Sequence, residues 1–89
     1  MHTLLQRNIN LASADIEGEI VLMCADSGKY YCLSGPARRI WELLAEPSTP
    51  DSIYSTLLHE YAVPEEICRN ETNSFLKDMQ ERELVRTVD

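Results

Sequence analysis

The sequence is short of the residues that usually carry chemistry. Its 89 positions hold two histidines, three cysteines and one tryptophan. No H-E-x-x-H, G-x-S-x-G, Walker or G-x-G-x-x-G pattern occurs, so zinc hydrolases, serine hydrolases and nucleotide-binding enzymes lack their characteristic residues here. His2 stands near the start and His59 in a helical stretch, and the pattern gives neither an acid-base partner. Cys24, Cys32 and Cys68 are odd in number and form no C-x-x-C pair, which argues against a disulfide framework or a zinc site. Neither a cofactor nor a metal is expected. Cations are scarce too: eight Lys and Arg against fifteen Asp and Glu give a net charge of −7. Such a chain repels a polyanion over most of its surface, and Arg38-Arg39 is its densest basic spot, so no nucleic-acid partner is expected. No apolar run approaches the roughly 18–20 residues of a membrane span, and the opening residues lack a basic, then apolar signal-peptide pattern. A cytoplasmic protein with no membrane partner is expected.

What remains is a small domain, residues 1–89, large enough to bury only roughly 60–65% of its unfolded surface. Its pattern changes once, near Ser34. Before that point it reads as strands: Arg7–Ala12 alternates, Glu19–Ala25 is β-branched and apolar, and Lys29–Leu33 returns after a turn at Asp26–Gly28. A three-residue turn would set Met23 opposite Tyr31. Val21, Met23, Tyr31 and Leu33 would then share one face, and Ile20, Leu22, Cys24, Tyr30 and Cys32 the other. The segment "SADIEGE" reads as a polar connection. Two apolar faces exceed what one sheet needs against its own helices, which leaves room for a homodimer.

After Ser34 the period is helical. Ser34 is the expected cap of a first helix with Pro36 in its first turn. Ala37, Ile40, Trp41 and Leu44 form its stripe, and Pro47 stops it. Thr49 caps a second helix that opens on Pro50 and buries Ile53, Leu57 and Tyr61. A third starts at Pro64 and carries Ile67, Cys68, Thr72, Phe75, Leu76 and Met79. The closing "ELVRTV" packs back or adds a short strand. The expected fold is α+β: a winged helix-turn-helix with a three-stranded antiparallel N-terminal sheet followed by three α-helices.

Two binding functions fit such a fold. As a DNA-binding helix, the third offers Arg69, Asn70, Asn73 and Lys77, but Glu65, Glu66, Glu71 and Asp78 make it a poor surface for phosphate. As a peptide binder, the sheet offers the edge strand Lys29–Leu33 for strand addition, with the third helix as the wall of a groove. Tyr31, Leu33, Trp41 and Phe75 fit the core better than the groove; Tyr30, Cys32, Cys68 and Leu76 fit either.

Read in order, "GKYYCLSGPARRIWELL", "TPDSIYSTLLHEYAVPEE" and "NSFLKDMQERELV" resemble the PqqD-like family of precursor-peptide recognition elements. The likeness runs from about residue 7 to residue 88. The form "YY.L…IW.LL" most resembles the stand-alone leader-binding proteins of lasso-peptide pathways. The resemblance implies a non-catalytic adaptor that binds the leader segment of a ribosomal precursor peptide by β-strand addition. It implies delivery to a leader peptidase of the cysteine protease type. PqqD proteins, which serve a radical-SAM enzyme, are the runner-up. The implied binding residues are Lys29, Tyr30, Tyr31, Cys32 and Leu33 on the edge strand, and Cys68, Thr72, Phe75 and Leu76 on the third helix. Arg69 and Lys77 are candidate rim contacts for an acidic leader residue, and Arg38-Arg39 a candidate contact with the partner enzyme. On this reading Leu76→Asp would abolish leader binding in a folded protein.

Overall fold

The computed structural model describes residues 4–8, 10–25 and 27–88. The order is β1 (Leu4–Arg7), β2 (Ala12–Ile16), β3 (Glu19–Cys24), β4 (Lys29–Leu33), α1 (Pro36–Leu43), α2 (Pro50–Glu60), α3 (Glu65–Glu81) and β5 (Val85–Val88). The class is α+β: the described residues form three helices and two antiparallel sheets, one ordered β2-β3-β4 and the other pairing β1 with β5.

The first strand is not at residues 7–12. The chain turns there, between β1 and β2, and Asn8 is the cause. Its side-chain amide donates to the Glu83 carbonyl at 3.1 Å, and its Oδ1 accepts the Asn10 N–H at 3.0 Å. Its own N–H donates to the Leu84 carbonyl at 2.9 Å. An asparagine that bonds the backbone two residues on favours a turn over an extended run. Ile9, expected to mark one face of that strand, lies outside the described residues.

The polar connection "SADIEGE" is a strand instead. Every residue of β2 is exposed, so no buried face leaves an alternating pattern to read. Pairing with β3 holds it, from Ala12 opposite Met23 to Ile16 opposite Glu19. Glu17 and Gly18, both at positive φ (51° and 86°), make the two-residue turn between the strands, as a right-twisted hairpin requires.

The β3–β4 register also departs from expectation by one residue. Cys24 faces Lys29 and Leu22 faces Tyr31, so the strands end at Cys24 and begin again at Lys29. The Gly28 N–H closes the turn onto the Cys24 carbonyl at 2.8 Å. A slip of one residue turns a strand over. Tyr31 and Leu33 therefore share a face with Ile20 and Leu22. Tyr30 and Cys32 share the other with Val21 and Met23.

Ile20, Leu22 and Leu33 meet Ile40, Trp41 and Leu44 of the α1 stripe, Ile53 and Leu57 of α2, and Cys68, Leu76 and Met79 of α3 in one core. The α1 cap is Gly35 rather than Ser34. Its φ of 58° and ψ of −132° lie where a side chain is strained, and no side chain bonds the helix start. Thr49 caps α2 as expected, its hydroxyl accepting the Ser52 N–H at 3.1 Å. The closing segment does add a strand: Leu84 and Val85 are buried, and β5 pairs with β1. On its other side β1 exchanges backbone bonds between Leu5 and Ser48 at 2.7 and 2.8 Å. It thus stitches the α1–α2 connection to β5. Among the described residues no helix is long and apolar enough to cross a membrane.

Candidate functional site

Among the described residues, in the order β2-β3-β4, strand β4 pairs on one side only, so its other edge carries backbone donors and acceptors with no described strand beside them. A cavity lined in part by α3 lies near each end of β4. At the turn end, Lys29 and Tyr31 line a polar cavity with Glu81 and Arg82. Beyond the other end, Pro36 and Ala37 open a second cavity of about 330 Å³, whose far wall is Ile67, Cys68, Glu71, Thr72 and Phe75. Leu57, Tyr61 and Val63 close it below. As the chain passes from Tyr31 to Ala37, its α3 neighbours retreat from Arg82 to Phe75. Strand and helix thus run in opposite senses along a cleft.

The wall that α3 presents is one stripe: Ile67, Glu71, Phe75, Asp78 and Arg82, three or four residues apart. Ile67, expected on the apolar stripe of the third helix, is 51% exposed at the cavity mouth. Arg82 closes the turn end. Its guanidinium lies 5.3 Å from the centroid of the Tyr31 ring, and its Nε–H donates to Asp78 Oδ1 and Oδ2 at 3.1 and 3.0 Å. Interaction with the Tyr31 side chain, then with Asp78, raises the Arg82 pKa above its ordinary value.

The residues singled out from the sequence divide accordingly. Lys29, Tyr31, Cys68, Thr72 and Phe75 border the two cavities. Leu33 and Leu76 are core residues, 6% and 2% exposed, so the expectation that Leu76→Asp would stay folded fails on burial. Tyr30, 64% exposed, and Cys32 project from the open face of the sheet, with Met23 and Val21. Arg69 turns towards α2: it donates to the Tyr54 hydroxyl at 2.7 Å, covers that ring at 5.0 Å, and lies 3.6 Å from Glu65. Lys77 is two residues beyond Phe75, about 200° round the helix and off the cleft.

Arg38 and Arg39 are also occupied. Arg38 grips both carboxylate oxygens of Asp15, tying α1 to β2. Arg39 binds Glu60 through three hydrogen bonds of 2.8–3.0 Å, tying α1 to α2. The arginine hydrogen bonds hold the Asp15 and Glu60 carboxyls below their usual pKa. Sequence reading missed Glu71, Arg82 and Val63. The first two were legible as members of the spaced stripe; Val63, in the connection before α3, left no periodic signal.

Among the described residues, no three His, Cys, Asp or Glu side chains are placed to hold a metal together. The three cysteines are unpaired, and Cys24 and Cys32 lie on opposite faces of the sheet.

No curated protein matches this chain. Among solved structures, TbiB1 in complex with the TbiA(beta) leader peptide superposes with a TM-score of 0.83 at 28% identity, covering 94% of this chain and 98% of that one. A lasso peptide synthetase B1 complexed with the leader peptide superposes with a TM-score of 0.80, covering 92% and 96%. Its 20% identity makes that a likeness of fold. The family model for coenzyme PQQ synthesis protein D matches residues 19–85, from the first residue of β3 through α3 to the first of β5. The cleft and the strand that borders it lie wholly inside that match, and the chain belongs to the PqqD family.

Proposed function

We propose that this protein is a non-catalytic adaptor that binds the leader segment of a ribosomal precursor peptide. The leader adds as a strand to the open edge of β4, with α3 as the facing wall. In this reading residues 1–89 act as one domain, a winged helix-turn-helix elaborated by the β1–β5 pair. Main-chain bonds from Lys29 to Leu33 supply affinity, and side-chain selection falls to Tyr31, Cys68, Thr72 and Phe75. The observation that carries the reading is an unpaired strand edge beside an apolar cavity, in a chain 28% identical to a protein solved with a leader peptide on it.

The loaded adaptor delivers the leader to a leader peptidase of a lasso-peptide pathway in the cytoplasm. The matched family is named for coenzyme PQQ synthesis, which supports a second reading in which the recipient is a radical-SAM enzyme. Titration with a synthetic copy of the leader encoded beside the gene tests the binding role. Saturable binding with amide shifts confined to β4 and α3 is expected. Shifts at β2 instead, or no saturable binding, would overturn it. Which enzyme co-purifies with the loaded complex decides between the two recipients.

A further inference from the structure

The cavity beside α1 contains one charge. Pro36, Ala37, Val63, Ile67 and Phe75 belong to its apolar lining, and Glu71 is the one Asp, Glu, Lys or Arg among its described lining residues. Glu71 stands one helical turn from both Ile67 and Phe75, on the cleft stripe. It takes part in none of the ion pairs among the described residues. The cations of α3 and its C-cap are engaged or turned away. Arg69 is held by Tyr54 and Glu65, Arg82 by Asp78, and Lys77 lies about 120° round the helix from Glu71. The chain's net charge of −7 adds to the negative potential there.

We propose that this cavity receives a basic side chain of the bound peptide, lysine or arginine, and that Glu71 selects it. The inference rests on the peptide-binding reading above. The aliphatic stem of such a side chain lies across Ile67 and Phe75, and its charged head meets the carboxylate at the mouth. A purely apolar side chain fills the same space but strips water from Glu71 without replacing it. An acidic one is repelled. The site thus distinguishes side chains of similar length by the charge they carry.

The test uses a phage-displayed pool of random short peptides, selected on the full chain and on its Glu71→Gln and Glu71→Lys variants. Glu71 is exposed, so both variants keep the fold. With the wild type, one position of the enriched peptides is dominated by Lys or Arg. With Glu71→Gln that preference vanishes, and with Glu71→Lys it turns to Asp or Glu, the other positions being unchanged. A synthetic copy of an enriched peptide binds Glu71→Gln roughly 3- to 10-fold more weakly than wild type. Enriched peptides with only apolar residues at that position, or a basic preference that survives Glu71→Lys, overturn the role of Glu71 and leave strand addition standing. A wild type that enriches no peptide overturns both.

Discussion

The Arg82 guanidinium covers the Tyr31 ring at 5.3 Å while Asp78 holds it from below, so a residue at the end of α3 fixes the orientation of a side chain on β4. This is the clasp at the turn end of the cleft. A cation over an aromatic face contributes on the order of 0.5–1 kcal/mol at an exposed site. Arg82→Ala should therefore lower the melting temperature by only about 2–8 °C and weaken leader binding by about 2- to 5-fold. Calorimetric titration checks this, and equal affinity in wild type and variant would show that the clasp does not order the site.

Ile67 and Leu76 are both apolar, both on α3, and opposite in what they do. Leu76 is 2% exposed in the core, and Ile67 is 51% exposed at the cavity mouth. Leu76→Ala should cost about 2–5 kcal/mol, a large part of the stability of a domain this size, and Leu76→Asp should leave no folded protein. Ile67→Asp should melt with the wild type yet lose most of its leader affinity. Thermal melts by circular dichroism separate the two; a folded Leu76→Asp or an unfolded Ile67→Asp would show that core and cleft have been interchanged.

The contrast shows what a sequence can and cannot reveal here. The helices were legible because their apolar stripes, prolines and the Thr49 cap agree. Ile40, Trp41, Leu44, Ile53 and Leu57 are buried as their spacing required. The edge at Lys29–Leu33 was legible because a glycine turn and a run of β-formers bound it, and β4 has those limits. The tilt of α3 was not. Its apolar stripe is wide enough to face the core on one side and the cavity on the other. Spacing alone cannot divide Leu76 from Ile67 when both lie within the stripe. The register of β4 was hidden for another reason: loops of three and four residues fit the same letters and present opposite faces. β2 was invisible because an edge strand exposed on both faces has no pattern to display.

Asn8 joins two parts of the chain far apart in sequence, through its side chain to Glu83 and its backbone to Leu84. It is one of two buried polar residues described, and both side-chain ends are bonded. Asn8→Ala removes the donor to Glu83 and the acceptor for Asn10, leaving a carbonyl and an N–H to find water. The expected loss is about 1–3 kcal/mol. It should appear as a lower midpoint in urea with the slope unchanged, since the surface exposed on unfolding is the same. Asn8→Asp restores only the acceptor and should recover part of the loss; full recovery would mean that the bond to Glu83 contributes nothing.

The pairs Arg38–Asp15 and Arg39–Glu60 hold α1 against β2 and α2, and both carboxyls have their pKa lowered by the arginine hydrogen bonds, from ordinary values of 3.8 and 4.5. A folded-state pKa below the unfolded one contributes stability that is complete above the unfolded value and is lost as pH falls through the folded value. Both pairs are exposed, so the contribution is small and salt-sensitive. The double variant Arg38→Ala, Arg39→Ala should melt below the wild type at neutral pH. The gap should narrow once the pH drops under roughly 4 and vanish when both carboxyls are protonated. Raising the salt at neutral pH should narrow it too. Melting curves recorded across that range decide the matter: a gap that persists in acid would mean that the arginine stems, packed along α1, hold the helix in place and the charges do not.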